Sequence, residues 1–253
     1  MSISYTKLRG CDAVRAAANN SRFVACFTTT GDDGYGYSLD GAIAWGRVHH
    51  GRRLLLADGE PAAAAALVEA VLRDEPPQRM MMSREIMLRL PESLRPARVG
   101  EWRWFYTDTP PEPVPGEERV TWLRNDEAGR AGIERLLDEA FADASTRTAD
   151  EQVKAWFGVY GEDGVTPIGC GAVSGPAPDV PFLASVTVHP SARRQGLASA
   201  MTAWVTRTLL AAGHPFVSLG SMEGEDATHR LYRRLGYRDT HALMSGSVET
   251  VTA

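Results

Sequence analysis

Four prolines in six residues, inside Thr109-Pro-Pro-Glu-Pro-Val-Pro-Gly116, divide this chain. Proline fixes φ and has no backbone N–H, so such a run enters neither a helix nor a central strand. It forms a stiff, extended connector. The run lies near the middle of 253 residues, and either side is long enough to bury its own core. The sequence therefore predicts a domain over residues 1–108, a linker over 109–116 and a second domain over 117–253.

The second half has the clearer periodicity. Arg119–Arg124 reads as a strand. Asp126 is placed to cap a helix whose apolar positions Ile133, Leu136, Leu137, Ala140 and Phe141 share one face. Thr148-Ala-Asp-Glu151 has the form of a capping box, which predicts a second short helix. Strands follow at Trp156–Tyr160, Ile168–Ser174 and Pro181–His189. A helix runs through Leu197, Met201, Val205 and Leu209 and ends at Gly213. Next come a strand at Pro215–Leu219, a helix capped by Asp226 that runs through Leu231 and Leu235 and closes at Gly236, and a strand at Tyr237–Ser245. The first half reads as a fainter version: a helix at Asp12–Asn19, strands at Arg22–Thr29, Gly41–Val48 and Arg53–Ala57, and a helix opening on Pro61. A strand at Met80–Met82, a helix at Ser83–Leu90 and a strand at Trp102–Thr107 complete it. The expected class is α+β, a mixed and mostly antiparallel sheet flanked by helices, in two tandem copies.

Composition narrows the partners. The net charge is −5, which disfavours a nucleic-acid surface. Residues 1–115 are neutral, so the acidic excess lies downstream, where it suits a cationic acceptor as well as an ordinary solvated surface. Cys11, Cys26 and Cys170 are widely spaced and include no Cys-x-x-Cys, as for reduced thiols without a disulfide framework or zinc site. The opening residues have no apolar core of signal-peptide length, and no run of 18 apolar residues occurs. The expectation is a cytoplasmic protein with no metal, membrane or nucleic-acid partner.

The segment that carries chemistry is Val186-Thr-Val-His-Pro-Ser-Ala-Arg-Arg-Gln-Gly-Leu-Ala198. A strand ends at Pro190, a short loop follows, and a long helix begins. A helix N-terminus offers free N–H groups and the positive end of a dipole, which suits phosphate oxygens. Gly196 lets the backbone approach a ligand, and Arg193 and Arg194 bring positive charge. Read alone, it is also an ordinary strand-loop-helix with surface arginines.

This segment resembles the signature of the GNAT acetyltransferases, Arg/Gln-x-x-Gly-x-Gly/Ala after a Val-x-Val-x-Pro strand. The matching positions are Arg193, Gly196 and Ala198, after Val186, Val188 and Pro190. A second block, Asp226-Ala-Thr-His-Arg-Leu-Tyr-Arg-Arg-Leu-Gly-Tyr237, is similar to the family's closing helix and strand. The resemblance spans residues 117–246 and implies acetyl-CoA as cosubstrate. It implies that Val186 and Val188 offer backbone groups to the pantetheine arm, with the neighbouring strand splayed away. Arg193, Arg194, Gln195, Gly196, Leu197 and Ala198 would hold the pyrophosphate. Tyr232 matches the tyrosine that protonates the departing thiolate. The function implied is N-acetyl transfer to a small-molecule or peptide amine by direct attack in a ternary complex. The alternative is a catalytically silent acyl-CoA-binding regulatory or interaction protein. The family often dimerises through exposed strands, so a homodimer is open.

Two positions depart from the pattern. Glu225 stands where many members carry an asparagine for the pantetheine. The strand ending at Pro190 has no carboxylate, so the general base is open between Glu223, His189, relayed water and an already neutral amine. The first half is expected to be a degenerate copy that binds no CoA. Its loop after Arg53–Ala57 is Asp58-Gly-Glu-Pro61, with acids where the other copy has arginines.

Overall fold

The computed structural model describes residues 4–29, 34–49 and 51–248. Twelve strands and seven α-helices occur among the described residues, a mixed α+β chain. It divides into two compact units. One comprises Met1–Trp104, Met222–Gly224 and Thr240–Ala253, the other Phe105–Ser221 and Glu225–Asp239.

The first unit runs β1 (Thr6–Arg9), α1 (Cys11–Ala17), α2 (Arg22–Phe27), β2 (Tyr35–Leu39), β3 (Ala42–His49), β4 (Arg52–Asp58), α3 (Pro61–Asp74), β5 (Arg79–Ser83) and α4 (Arg84–Arg89), then opens β6 (Gly100–Thr107). Its strand order is β1-β2-β3-β4-β5-β12, where β12 is Arg238–Ser247. β2 and β3 are joined by Asp40 and Gly41, at φ 47° and 80°, the paired left-handed residues of a tight hairpin. β4 and β5 are parallel, with α3 as crossover, and pair at four positions from Leu54↔Arg79 to Ala57↔Met82. One face buries Leu67 and Val68 of α3 on Leu55, Ala57, Met80 and Met82. On α2, Phe23 packs edge-on to Trp45 and Trp104 and stacks on His241 at 4.3 Å.

In the first half one segment differs in kind from its expectation. Arg22–Thr29 was expected as a strand, and Arg22–Phe27 is a helix. The Ser21 hydroxyl caps it by accepting from Val24 N–H, and the buried residues Phe23, Val24, Cys26 and Phe27 have helical spacing. With β1 and β2 added, the first half reads β-α-α-β-β-β-α-β-α-β, the order the sequence suggested for the second half.

The second unit contains β7 (Thr121–Trp122), α5 (Glu127–Ala140), β8 (Ala155–Tyr160), β9 (Pro167–Ser174), β10 (Phe182–Val188), α6 (Leu197–Ala211), β11 (Val217–Met222, as far as Ser221) and α7 (Asp226–Arg234). The strand order is β11-β10-β9-β8-β7. α6 buries Leu197, Ala200, Met201 and Val205 among Phe157, Val173, Leu183 and Leu219. A second core packs Ile133, Leu136 and Leu137 of α5 with Trp156, Cys170 and Ala172. The proline run lies along α6: Arg207 donates to Pro111 O and to Glu117, and Glu117 accepts from Val114 N–H.

The short helix expected at Thr148 does not form. Glu134 Oε1 accepts from both the Thr148 N–H and hydroxyl at 2.7 Å, so the N–H that a capping box would give to Glu151 is spent elsewhere. Asp126 does cap α5, accepting from Gly129 N–H at 2.8 Å. Asp226 is not the cap of α7. Glu225 holds that position and makes no side-chain cap bond.

Candidate active site

The candidate site is built in the second unit where β10 parts from β11. The two strands run parallel and pair only at Phe182↔Ser218 and Leu183↔Leu219, although both continue further. The cause is local. β10 bulges between Ala184 and Thr187, with Ser185 at φ 51°. The Ser185 hydroxyl donates to Thr146 O at 2.8 Å, which holds the bulge from the α5 side. Past it, His189 N–H donates to Ile168 O across β9. Successive peptides alternate sides along a strand, so Val186 and Val188 turn their peptide groups away from β9, into the gap.

The gap leads to a loop that ends in bare amides. Pro190–Ala192 makes one 3₁₀ turn, Arg194 sits at φ 63° and Gly196 at φ 78°. Gly196 is the N-cap of α6 and makes no side-chain cap bond. The first bond of the helix is Ala200 N–H to Gly196 O at 3.0 Å. Among the described residues, no acceptor reaches the N–H groups of Gln195, Gly196, Leu197, Ala198 or Ser199. Helices α3 and α5, by contrast, are closed by the carboxylates of Glu60 and Asp126. A Cβ built on Gly196 meets nothing within 4 Å, so glycine is required there by its φ and leaves open space in front of the amides. Arg193, Arg194, Gln195 and Gly196 are exposed, Ala198 is half-buried, and Leu197 is buried and anchors the turn.

The remaining candidates separate. Tyr232 is 6% exposed and lies in the same core cluster as Leu197 and Ala200. Its ring packs 5.7 Å from Phe105 and 5.9 Å from Tyr237, and burial pushes its phenol well above the usual value. His229 and Tyr232, three apart, form the buried face of α7, while Leu231 is only partly covered. Tyr232 therefore shares the core side of its helix and is not turned away from it. His189 is held by Ser191 and Glu139. Glu223 falls in the other unit, where it pairs with Arg103 at 2.9 Å. Cys170 is buried, and burial pushes its thiol up to about 12, with the Glu134 charge adding to the rise. Among the described residues no group of three or more His, Cys, Asp or Glu could hold a metal ion, and no helix is long and apolar enough to cross a membrane. The Ser185–Thr146 bond and the Glu139–His189 contact had no signal in the sequence, because their partners lie 39 and 50 residues apart.

A strand pair that opens in front of an uncapped helix start is what the resemblance implied, and a family comparison decides it. The model of the acetyltransferase (GNAT) family matches residues 101–237, more than half of the chain. The chain belongs to the GNAT acetyltransferases. Solved GNAT structures share its fold. A GCN5-related N-acetyltransferase from Sphaerobacter thermophilus superposes with TM-score 0.59 at 16% identity, over 96% of this chain and 95% of that one. One from Kribbella flavida gives 0.53 at 18%, over 81% and 86%. A tandem GNAT protein from the clavulanic acid biosynthesis pathway gives 0.51 at 11%, over 96% and 98%. At these identities the likeness is one of fold. No curated protein matches the chain.

Proposed function

We propose that this GNAT protein is an acetyl-CoA-dependent N-acetyltransferase that transfers the acetyl group by direct attack of an amine in a ternary complex. The observation that carries the reading is the gap beyond Leu183 joined to the bare amides of Gln195–Ser199. The gap offers the peptide groups of Val186 and the N–H of Val188, whose carbonyl accepts from Arg193, to an amide-containing arm, which would add to β10 as an extra strand. The amides and the helix dipole suit a pyrophosphate. A covalent relay is disfavoured, because a thiolate is the nucleophile in such steps and Cys170 is kept protonated by burial.

Tyr232 is assigned the leaving group. Its hydroxyl has no hydrogen-bond partner among the described residues, and its surroundings are apolar. Burial raises the cost of a phenolate, so the phenol stays protonated at working pH and can donate to the developing CoA thiolate. The pyrophosphate would lie on the amides of residues 195–199, with Arg194 exposed beside them. The acceptor is an amine, small or peptidic. A panel of such amines with acetyl-CoA, read by release of free thiol, tests the reading. Thiol release with at least one amine supports it. CoA binding without release on any amine would favour a silent acyl-CoA-binding role, and no CoA binding would remove both.

A further inference from the structure

Arg193 opens the anion loop, and its charge is the obvious partner for a phosphate. Its side chain is engaged elsewhere. Nε donates to Val188 O at 3.2 Å and Nη2 to Ala140 O at 3.4 Å. Both carbonyls lack a regular partner: Val188 turns its peptide into the gap where the ladder has stopped, and Ala140 is the last residue of α5. A cation at a helix C-terminus also meets the negative end of the dipole. Turning the guanidinium toward a ligand would strip both carbonyls at once.

A second tie lies beside it. His189 Nε2 is 3.1 Å from Glu139 Oε2, on the same last turn of α5, and Nδ1 is 3.3 Å from Ser191 N–H. Accepting at Nδ1 leaves the ring proton on Nε2, aimed at Glu139. The two ties flank the 3₁₀ turn at Pro190–Ala192. Residues 141–154 leave the same end of α5 and meet the bulge through Thr146 O and Ser185. The loop must also hold Arg194, a residue with a side chain, in the left-handed region, which persists only under outside support.

We propose that Arg193 and His189 are positioning residues that bolt the anion loop to the end of α5. On this account the backbone amides, and not the Arg193 charge, hold the phosphates, an assignment that rests on the cofactor reading of the same loop. The segment 141–154 and the phosphate loop are then fixed to one common post.

Three substitutions separate bracing from charge. Glutamine carries an N–H at the position of arginine Nε, so Arg193→Gln keeps the bond to Val188 O without the charge. Arg193→Lys keeps the charge but has no donor at that position. Arg193→Met has neither. Two readouts are taken on folded protein: the dissociation constant for CoA by calorimetry, and hydrogen exchange of the Ala200 amide in ligand-free protein. Bracing predicts that Gln, which keeps the bond to Val188 O and loses the one to Ala140 O, falls between the parent and Met in both. Lys and Met should bind about threefold to tenfold more weakly, the worth of one net hydrogen bond, and exchange faster by a similar factor. Charge recognition predicts the reverse affinity order, with Lys near the parent and Gln grouped with Met. That order, or Ala200 exchange unchanged in Met and Lys, overturns the proposal. Exchange needs no ligand, so a chain that fails to bind CoA would sink the cofactor reading while the exchange order still decides the brace. Glu139→Ala cuts the second tie and should speed the same exchange. An unchanged rate there removes His189 from the proposal.

Discussion

Gly196 offers the sharpest test of the anion site, because strain and charge can be separated there. Gly196→Ala adds a Cβ that meets no atom within 4 Å but forces a side-chain residue to φ 78°. The cost is about 1 kcal/mol of stability, roughly 2–4 °C in Tm for a chain of this size. Gly196→Asp carries no more strain, since Asp tolerates the left-handed region better than Ala, and adds a negative charge. Two unit charges about 6 Å apart repel by about 0.7 kcal/mol in water and about 3 kcal/mol at an effective dielectric of ~20. The loop is exposed, so a value of about 1–2 kcal/mol applies, about fivefold to thirtyfold in affinity. The assay is calorimetric titration of both variants with CoA, compared at equal folded fraction. Asp should bind more weakly than Ala by that factor, and the difference should shrink as salt rises, since the Debye length is about 10 Å at 0.1 M and about 3 Å at 1 M. Equal affinities for Asp and Ala at low salt would show that no phosphate lies near these amides.

Tyr232→Phe keeps the ring against Phe105 and Tyr237 and removes a hydroxyl with no hydrogen-bond partner among the described residues. Turnover should fall about 10²-fold or more with CoA affinity and Tm unchanged, and full turnover would rule out its role. The first unit should take no CoA, because β4 and β5 stay paired over four positions and Glu60 and Asp58 accept from Ala63 and Gly59 N–H in the loop between them. Calorimetry should return one CoA per chain, and two would refute the closure. Burial alone would raise the Asp58 carboxyl, but bonds from His241, Gly59 and Ser21 outweigh it and hold it below the usual carboxylate range. A depressed folded value stabilises above the unfolded pKa of about 3.9 and is lost as pH falls through the folded value. Asp58→Asn should therefore lower Tm at pH 7 and lose that effect at strongly acid pH, and a pH-independent effect would contradict it.

How much was legible depends on how local each cause is. The α6 start could be read because a glycine at positive φ, a preceding strand and an apolar helix face all lie within a few residues. The splay of β10 from β11 was expected only through family resemblance, since nothing in Phe182–Val188 says where a partner lets go. α2 was misread because Phe23, Val24, Cys26 and Phe27 are dense enough to fit either period. β1 and β2 were missed: Thr6–Arg9 is mostly exposed and has no hydrophobic alternation, and β2 contains a glycine. Thr148 fitted a helix start, but Glu134, fourteen residues away, took its donors. The bonds of Arg193 to the carbonyls of Val188 and Ala140 could not be read, because backbone carbonyls leave no trace in side-chain identity.

The unzipped stretch of β10 has a consequence for anyone who handles the protein. Peptide groups at Val186 and Val188 face a neighbour that has turned away, which gives the sheet an interior edge. Edges of this kind recruit stray strands, and natural sheets usually cover theirs with charge, proline or bulges. Here the bulge at Ser185 and the guanidinium of Arg193 cover only part of it. A pantetheine arm lying along the strand would act as a removable edge cover. Protein stripped of ligand should clump on concentration or storage, and protein kept with CoA at a hundred times its dissociation constant gains about 2.7 kcal/mol against unfolding. If the opening admits the cosubstrate as proposed, the empty chain should be the form most prone to association.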